Sequence, residues 1–179
     1  GLRLEDVGPK RLVPRRIPYP EFLIRRPVAL LGNGTMETGI KREQYWRDRA
    51  VVNIGEKLGG FPEDELELNP AIELQEMENL EFITDSTSFK SGEQIKLTDG
   101  QFQILDLGTN LTGFIGTKLQ VHKPTRLYIC FDEILQNDDV NFKRLGTIAA
   151  ITYDLKPGTR DLKPETWNLE SIEPYTFRY

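Results

Sequence analysis

Ile115-Gly116-Thr117-Lys118-Leu119-Gln120-Val121, followed after His122 to Thr125 by Arg126-Leu127-Tyr128-Ile129-Cys130-Phe131, is the stretch that decides the fold class. Ile115, Thr117, Leu119 and Val121 alternate with Gly116, Lys118 and Gln120. Leu127, Ile129 and Phe131 alternate in the same way with Arg126, Tyr128 and Cys130. A two-residue period marks a half-buried strand, because successive side chains leave a pleated backbone on opposite faces. With Lys123-Pro124 between the runs, the expectation is an antiparallel hairpin.

The pattern continues on both sides. Ala149, Ile151, Tyr153 and Leu155 alternate until Lys156-Pro157-Gly158, and a last strand is expected over Ile172–Tyr179. Upstream, Leu80–Ile83, Gln94–Leu97 and Phe102–Leu107 are short strand-like runs separated by Asp85-Ser86, Ser91-Gly92 and Asp99-Gly100. Pro27–Leu31 reads as a strand ended by the turn signal Gly32-Asn33-Gly34. Short alternating strands at regular spacing, without intervening helices, imply a mainly-β antiparallel β-sandwich of jelly-roll-like type.

One helical excursion interrupts it. Trp46, Ala50, Ile54 and Leu58 recur every four residues, with Val51 beside them, so the spacing predicts a helix over Ile40–Leu58, stopped by Gly59-Gly60. A shorter helical turn is expected around Ala71–Met77. The prolines at 9, 14, 18 and 20 forbid a helix at the start. The expected organisation is an extended lead-in over residues 1–26, then a β-sandwich domain over 27–179 with a helical and acidic insertion at about 36–80. Both ends read as internal to something longer.

Composition narrows the functional classes. A net charge of −5 offers no concentrated basic surface for phosphate, so nucleic acid is not an expected partner. The basic residues crowd into Gly1–Arg49, whereas Leu58–Phe89 holds no Lys or Arg and carries nine Asp and Glu, a solvated acidic excursion. No run approaches the ~20 apolar residues of a membrane span, so no membrane partner is expected. The single cysteine, Cys130, excludes an intrachain disulfide and reads as a small packed hydrophobe.

Little in the chain points to catalysis. With one histidine, His122, and one cysteine there is no zinc set, so the expectation is no metal, no cofactor and no catalytic residue within the segment. Asp132 and Glu133 are adjacent, and on a strand they would point to opposite faces rather than flank a glycosidic bond. Glu133 reads as a structural carboxylate with Arg178 as its candidate partner. Tyr45, Trp46 and Trp167 are the rings that could carry a sugar face, with Trp46 on the helical stripe and Trp167 in a polar hairpin.

Over Phe102–Tyr179 the sequence resembles the β-sandwich domain that precedes the catalytic barrel in bacterial α-L-rhamnosidases. The segments that carry the likeness are Leu105-Asp106-Leu107-Gly108, Leu111-Thr112-Gly113-Phe114, Phe131-Asp132-Glu133-Ile134-Leu135, the strand from Ala149 to Gly158, and Glu173-Pro174-Tyr175-Thr176-Phe177-Arg178-Tyr179. Leu12–Pro18 resembles the linker into that domain. Gln136–Asp139 departs from the family by lacking its Asp-Gly turn, and nothing in Met36–Glu81 matches it.

The resemblance implies a non-catalytic domain that supports and orients an (α/α) barrel elsewhere in the same polypeptide, where the catalytic acids of the glycoside hydrolase would lie. The alternative is a carbohydrate-binding module that takes rhamnose-containing oligosaccharide. The parent would be periplasmic or extracellular, although this sequence carries no signal that fixes its localisation.

Overall fold

The computed structural model describes residues 16–18, 21–47, 69–90, 92–157 and 165–179. The fold is mainly β and antiparallel, with one short helix among the described residues. Strand β1 (Ala29–Glu37) is the middle of a three-stranded sheet, flanked by β2 (Glu78–Ser88) and β3 (Gln101–Asp106). Helix α1 (Asn69–Gln75) stands between β1 and β2 in the chain.

The Gly32-Asn33-Gly34 turn expected after Leu31 does not form; the strand runs straight through it. Gly34 lies opposite Phe82 on one side and Phe102 on the other. Those two rings stack at 5.8 Å across the central strand. A Cβ at Gly34 would fall 2.1 Å from the Glu81 carbonyl oxygen and 2.8 Å from the Phe102 ring. The glycines are there because backbone and rings approach too closely for a side chain. A bulge at Leu31 shifts the pairing on both sides of β1.

The rest of the chain forms a nested ribbon. Strand β4 (Leu111–Gly113) pairs with β9 (Tyr175–Phe177), β5 (Gly116–Val121) with β8 (Glu165–Glu170), and β6 (Thr125–Cys130) with β7 (Ala150–Leu155). Each ladder is antiparallel, and each encloses the next. The expected hairpin between the two alternating runs is therefore wrong, since His122-Lys123-Pro124 carries the chain from one ladder to the next. A tight hairpin turn needs residues that accept positive φ and a backbone N–H to close it; Pro124 has no N–H and no Gly or Asn stands nearby.

Other expectations need correction. Gln94–Leu97 is not a strand: no neighbour pairs with it, and Ile95 and Leu97 stay exposed. The final strand is confined to Tyr175–Phe177, with Ile172 almost wholly exposed before it. Residues 40–47 are not helical, and the remainder of the predicted Ile40–Leu58 helix lies outside the described residues, as do most of the lead-in and residues 61–68 of the acidic stretch. The turn expected around Ala71–Met77 is present as α1.

The described core is small: Ala71, Ile104, Val121, Phe131, Leu155 and Phe177 are its buried apolar side chains. Phe131 sits at its centre, with the Tyr175 ring at 4.7 Å and the Phe177 ring edge-on at 6.3 Å. The long connection from β6 to β7 is pinned by a tight turn in which Gln136 and Asp139 exchange backbone hydrogen bonds of 2.9 and 3.1 Å. Asn137 and Asp138 take φ values of 53° and 62° there, which their short polar side chains tolerate better than most.

Two substitutions test this packing. Phe177→Ala is expected to lower stability by about 3–5 kcal/mol, since it empties a buried aromatic site. Gly34→Ala is expected to cost about 1–3 kcal/mol through forced backbone movement. Both are read from urea unfolding monitored by circular dichroism; an unchanged midpoint for Gly34→Ala would show that the close crossing of β1 and the rings is wrong.

Candidate functional site

Three distant segments meet where β3 ends. Asp106 closes that strand, and its backbone oxygen accepts a 2.7 Å bond from the Val28 N–H. One carboxylate oxygen accepts from the Gly108 N–H at 2.7 Å and from Arg178 Nε at 2.9 Å; the other accepts from Arg178 Nη2 at 3.1 Å. Gly108 takes φ of 79°, a conformation that suits glycine and turns its N–H back to the carboxylate. Leu107 N–H donates to the Arg178 carbonyl at 3.0 Å, and the Arg178 guanidinium lies 5.0 Å from the centre of the Tyr179 ring.

Asp132 completes the junction. Its N–H donates to the Tyr179 carbonyl at 3.1 Å, and its carbonyl accepts from Arg178 N–H at 2.9 Å and Tyr179 N–H at 3.0 Å. Its buried carboxylate holds Arg144 in a two-pronged pair, Nε on Oδ2 and Nη2 on Oδ1, each at 2.5 Å. Glu133 Oε2 lies 4.0 Å from the same Arg144 Nη2, and Asn110 Nδ2 donates to Glu133 Oε1 at 3.4 Å.

Two expectations are thereby corrected. Arg178 pairs with Asp106, not with Glu133. Asp132 and Glu133 do not diverge: β6 ends at Cys130, so strand alternation no longer governs them, and both carboxylates converge on one guanidinium.

The charges follow from these contacts. Arg178 holds the Asp106 carboxyl below the usual carboxylate range despite partial burial. Burial alone would push Asp132 up, but the Arg144 pair and backbone N–H groups outweigh it and bring it down. A glycosidase acid needs the reverse, a carboxyl raised so that it keeps its proton near neutrality. These two aspartates are built to stay charged and paired.

A second cluster surrounds α1. Glu76 accepts from Lys41 Nζ at 2.7 Å and from the Tyr45 hydroxyl, and those two partners lower its carboxyl. Arg42 Nε reaches the Gln75 carbonyl at 2.8 Å, placing a cation at the helix C-terminus, where no basic residue of α1 itself stands. Gln75 Oε1 accepts from the Trp46 N–H at 2.6 Å, and its Nε2 donates a 3.1 Å bond to the Trp46 carbonyl. The Trp46 backbone thus bonds to a side chain of α1. On the other side, Glu73 Oε2 accepts from Arg126 Nε at 2.8 Å and from the Tyr128 hydroxyl, while Arg126 Nη1 grips Asp154 at 2.9 and 2.8 Å. Burial, then Glu73, pushes the Tyr128 hydroxyl up to about 12.

The aromatic candidates are scattered. Tyr45 spends its hydroxyl on Glu76, and Trp46 is half-buried beside α1. Trp167 is not in a polar hairpin but on β8 opposite Leu119, half-buried, with its indole nitrogen covered and without an acceptor. No ring contact joins it to Tyr45 or Trp46. His122 is exposed, and burial pushes the Cys130 thiol up to about 12, which keeps it protonated. A shallow surface depression of about 220 Å³ is lined by Pro124, Arg126, Asp154 and Lys156. Among the described residues no three His, Cys, Asp or Glu converge to hold a metal ion, and no helix is long and apolar enough to cross a membrane.

Sequence reasoning missed strand β8, although Trp167 and Leu169 alternate there with Thr166, Asn168 and Glu170. It missed Asp106 as a bonding partner as well, where the short Asp106-Leu107-Gly108 spacing was the available signal. Nothing local marks Arg144. No protein-family model, no curated protein and no solved structure matches this chain.

The junction predicts an acid response. Asp106 and Asp132 both sit low, so their stabilisation is in place above the unfolded carboxylate pKa of about 3.9 and is lost as pH falls through their lower folded values. Arg144→Ala leaves only the backbone N–H groups to oppose burial at Asp132, so acid unfolding followed by tryptophan fluorescence is expected to begin at higher pH than in the parent chain, with Arg144→Lys between the two. An acid midpoint that does not move would remove Asp132 from the determinants of stability.

Proposed function

We propose that this chain is a β-sandwich accessory domain of jelly-roll type, which supports and orients the catalytic barrel of an α-L-rhamnosidase-like glycoside hydrolase. The observation that carries the reading is the convergence of the segments on which the resemblance rests. Leu105–Gly108, Phe131–Glu133 and Tyr175–Tyr179 are far apart in sequence, yet Asp106, Asp132 and Arg178 meet at one junction through carboxylate and backbone bonds. Motifs kept in a fixed order for structural reasons are expected to do this; a chance likeness gives no reason for them to touch. The nested pairing of β4 with β9, β5 with β8 and β6 with β7 also suits a jelly roll, in which a long antiparallel ribbon folds over on itself.

The chemistry of the described residues supports a supporting role rather than a sugar site. Asp106 and Asp132 are each committed to an arginine. Tyr45 and Trp167 offer no shared open platform, and the depression lined by Pro124, Arg126, Asp154 and Lys156 falls short of the ~300–1,000 Å³ usual for a ligand pocket.

Two measurements test the proposal. Titration calorimetry with L-rhamnose and rhamnose-containing oligosaccharides is expected to give no saturable heat, and the chain alone is expected not to hydrolyse an aryl α-L-rhamnoside. Saturable binding lost in Trp167→Ala would replace this reading with a carbohydrate-binding module. A gene that continues past Tyr179 into a helical barrel bearing acidic motifs supports the scaffold; a reading frame that stops there would end it.

A further inference from the structure

Strand β2 runs eleven residues at the edge of its sheet, with β1 on one side and no strand on the other among the described residues. Such an edge presents a row of free backbone donors and acceptors. It is also apolar in part, with Leu80 at 66% and Ile83 at 48% exposure. Glu81 and Asp85 flank Ile83, and neither has an ion-pair partner among the described residues, unlike Glu78, which meets Arg42 at 3.3 Å. Two β2 edges brought together would set carboxylate against carboxylate, so this edge repels its own kind. It suits a basic strand.

The same chain carries one. Residues 21–27 lead into β1 in extended form and outside any ladder. Phe22, Leu23 and Ile24 are 84%, 60% and 87% exposed, and Arg25-Arg26 follows them. Three consecutive apolar side chains held in water beside two cations that have no ion-pair partner among the described residues call for a partner surface. The chain's own β2 is a poor one. Val28 is already fixed between Asp106 and Phe89, so the lead-in leaves the sheet where β2 ends. To reach its own edge it would have to reverse through Ile24-Arg25-Arg26-Pro27 and cross the end of β2, and that stretch holds no Gly, Asn or Asp to take a positive φ.

We propose that residues 21–26 of one copy add as a strand to the β2 edge of a second copy. Main-chain hydrogen bonds supply the pairing, and Arg25 and Arg26 against Glu81 and Asp85 select the partner. Reciprocal exchange closes a two-fold dimer. The inference is independent of the role proposed above.

Sedimentation of the whole chain is expected to show concentration-dependent association that weakens with salt. Charge reversal by R25E/R26E or by E81K/D85K is expected to weaken it roughly tenfold, the combined scale of two exposed ion pairs. An equimolar mixture of the two reversed variants should associate at least as well as the parent, because each variant then offers the other one complementary strand and edge. A labelled peptide of residues 21–28 keeps the test open if a variant misfolds. It should bind the parent chain, whereas a peptide of the same composition in scrambled order should not. A chain that stays monomeric and leaves the peptide unbound, or an association indifferent to both reversals and to salt, overturns the proposal.

Discussion

Two aspartates that the fold covers but cannot leave unpaired set the terms for the rest of the molecule. Asp106 ends the three-stranded sheet and Asp132 ends β6, so the two belong to different parts of the chain. A covered carboxylate without donors is costly, and one with an arginine and backbone N–H groups is well held. Arg178 holds the first carboxylate through its side chain, Arg144 and the Glu133 N–H hold the second, and the Arg178 N–H donates to the Asp132 backbone carbonyl. One residue near the end of the chain therefore locks the sheet of β1 to β3 to the nested ribbon. Phe177 and Tyr175, just before it, bring their rings to Phe131, so polar and apolar closure happen at one place.

The acidic stretch works by a similar logic at the other side. Helix α1 has only seven residues and no charged residue arranged to favour its own ends, so little in it sustains an isolated helix. What holds it is external: Lys41, Arg42 and Tyr45 on one face, Arg126 and Tyr128 on the other. Glu73 and Glu76, three residues apart, reach partners in opposite directions. A run of carboxylates that reads as a solvated face is in part a clasp between the segment after β1 and the tip of the ribbon.

How much of this was legible depends on how local the cause is. Strand positions follow from alternation, so β3, β5, β6 and β7 were readable, and β8 could have been from Trp167 and Leu169. Pairing is not local. Nothing in the runs around His122-Lys123-Pro124 says whether they face each other or β7 and β8, except the lack of a residue that could make the turn. Gly32 and Gly34 misled for a related reason: a glycine needed for a turn and one needed beneath two phenylalanine rings look the same in sequence, and only the positions of Phe82 and Phe102 separate them. Of the four-residue stripe that begins at Trp46, only Trp46 itself is among the described residues, and its backbone bonds to Gln75. At the junction, Arg178 was recognised as a partner for a carboxylate, but the choice between Glu133 and Asp106 turned on where β6 stops.

The distribution of charge along the strands shows why the nested ribbon and the three-stranded sheet behave differently. In the innermost ladder of the ribbon, Arg126 of β6 faces Asp154 of β7 across one pair. In the sheet, Glu81 of β2 lies opposite the uncharged Thr35, and Asp85 falls at the bulge beside Leu31, so neither meets a cation across the β1 ladder. Edge charges of that kind guard against indiscriminate pairing. Guarding with one sign only, however, leaves the edge open to a strand of the opposite sign. The extended segment before β1 carries that sign next to the most exposed apolar side chains of the sheet's approach, so the protection of the edge and its selectivity come from the same two carboxylates.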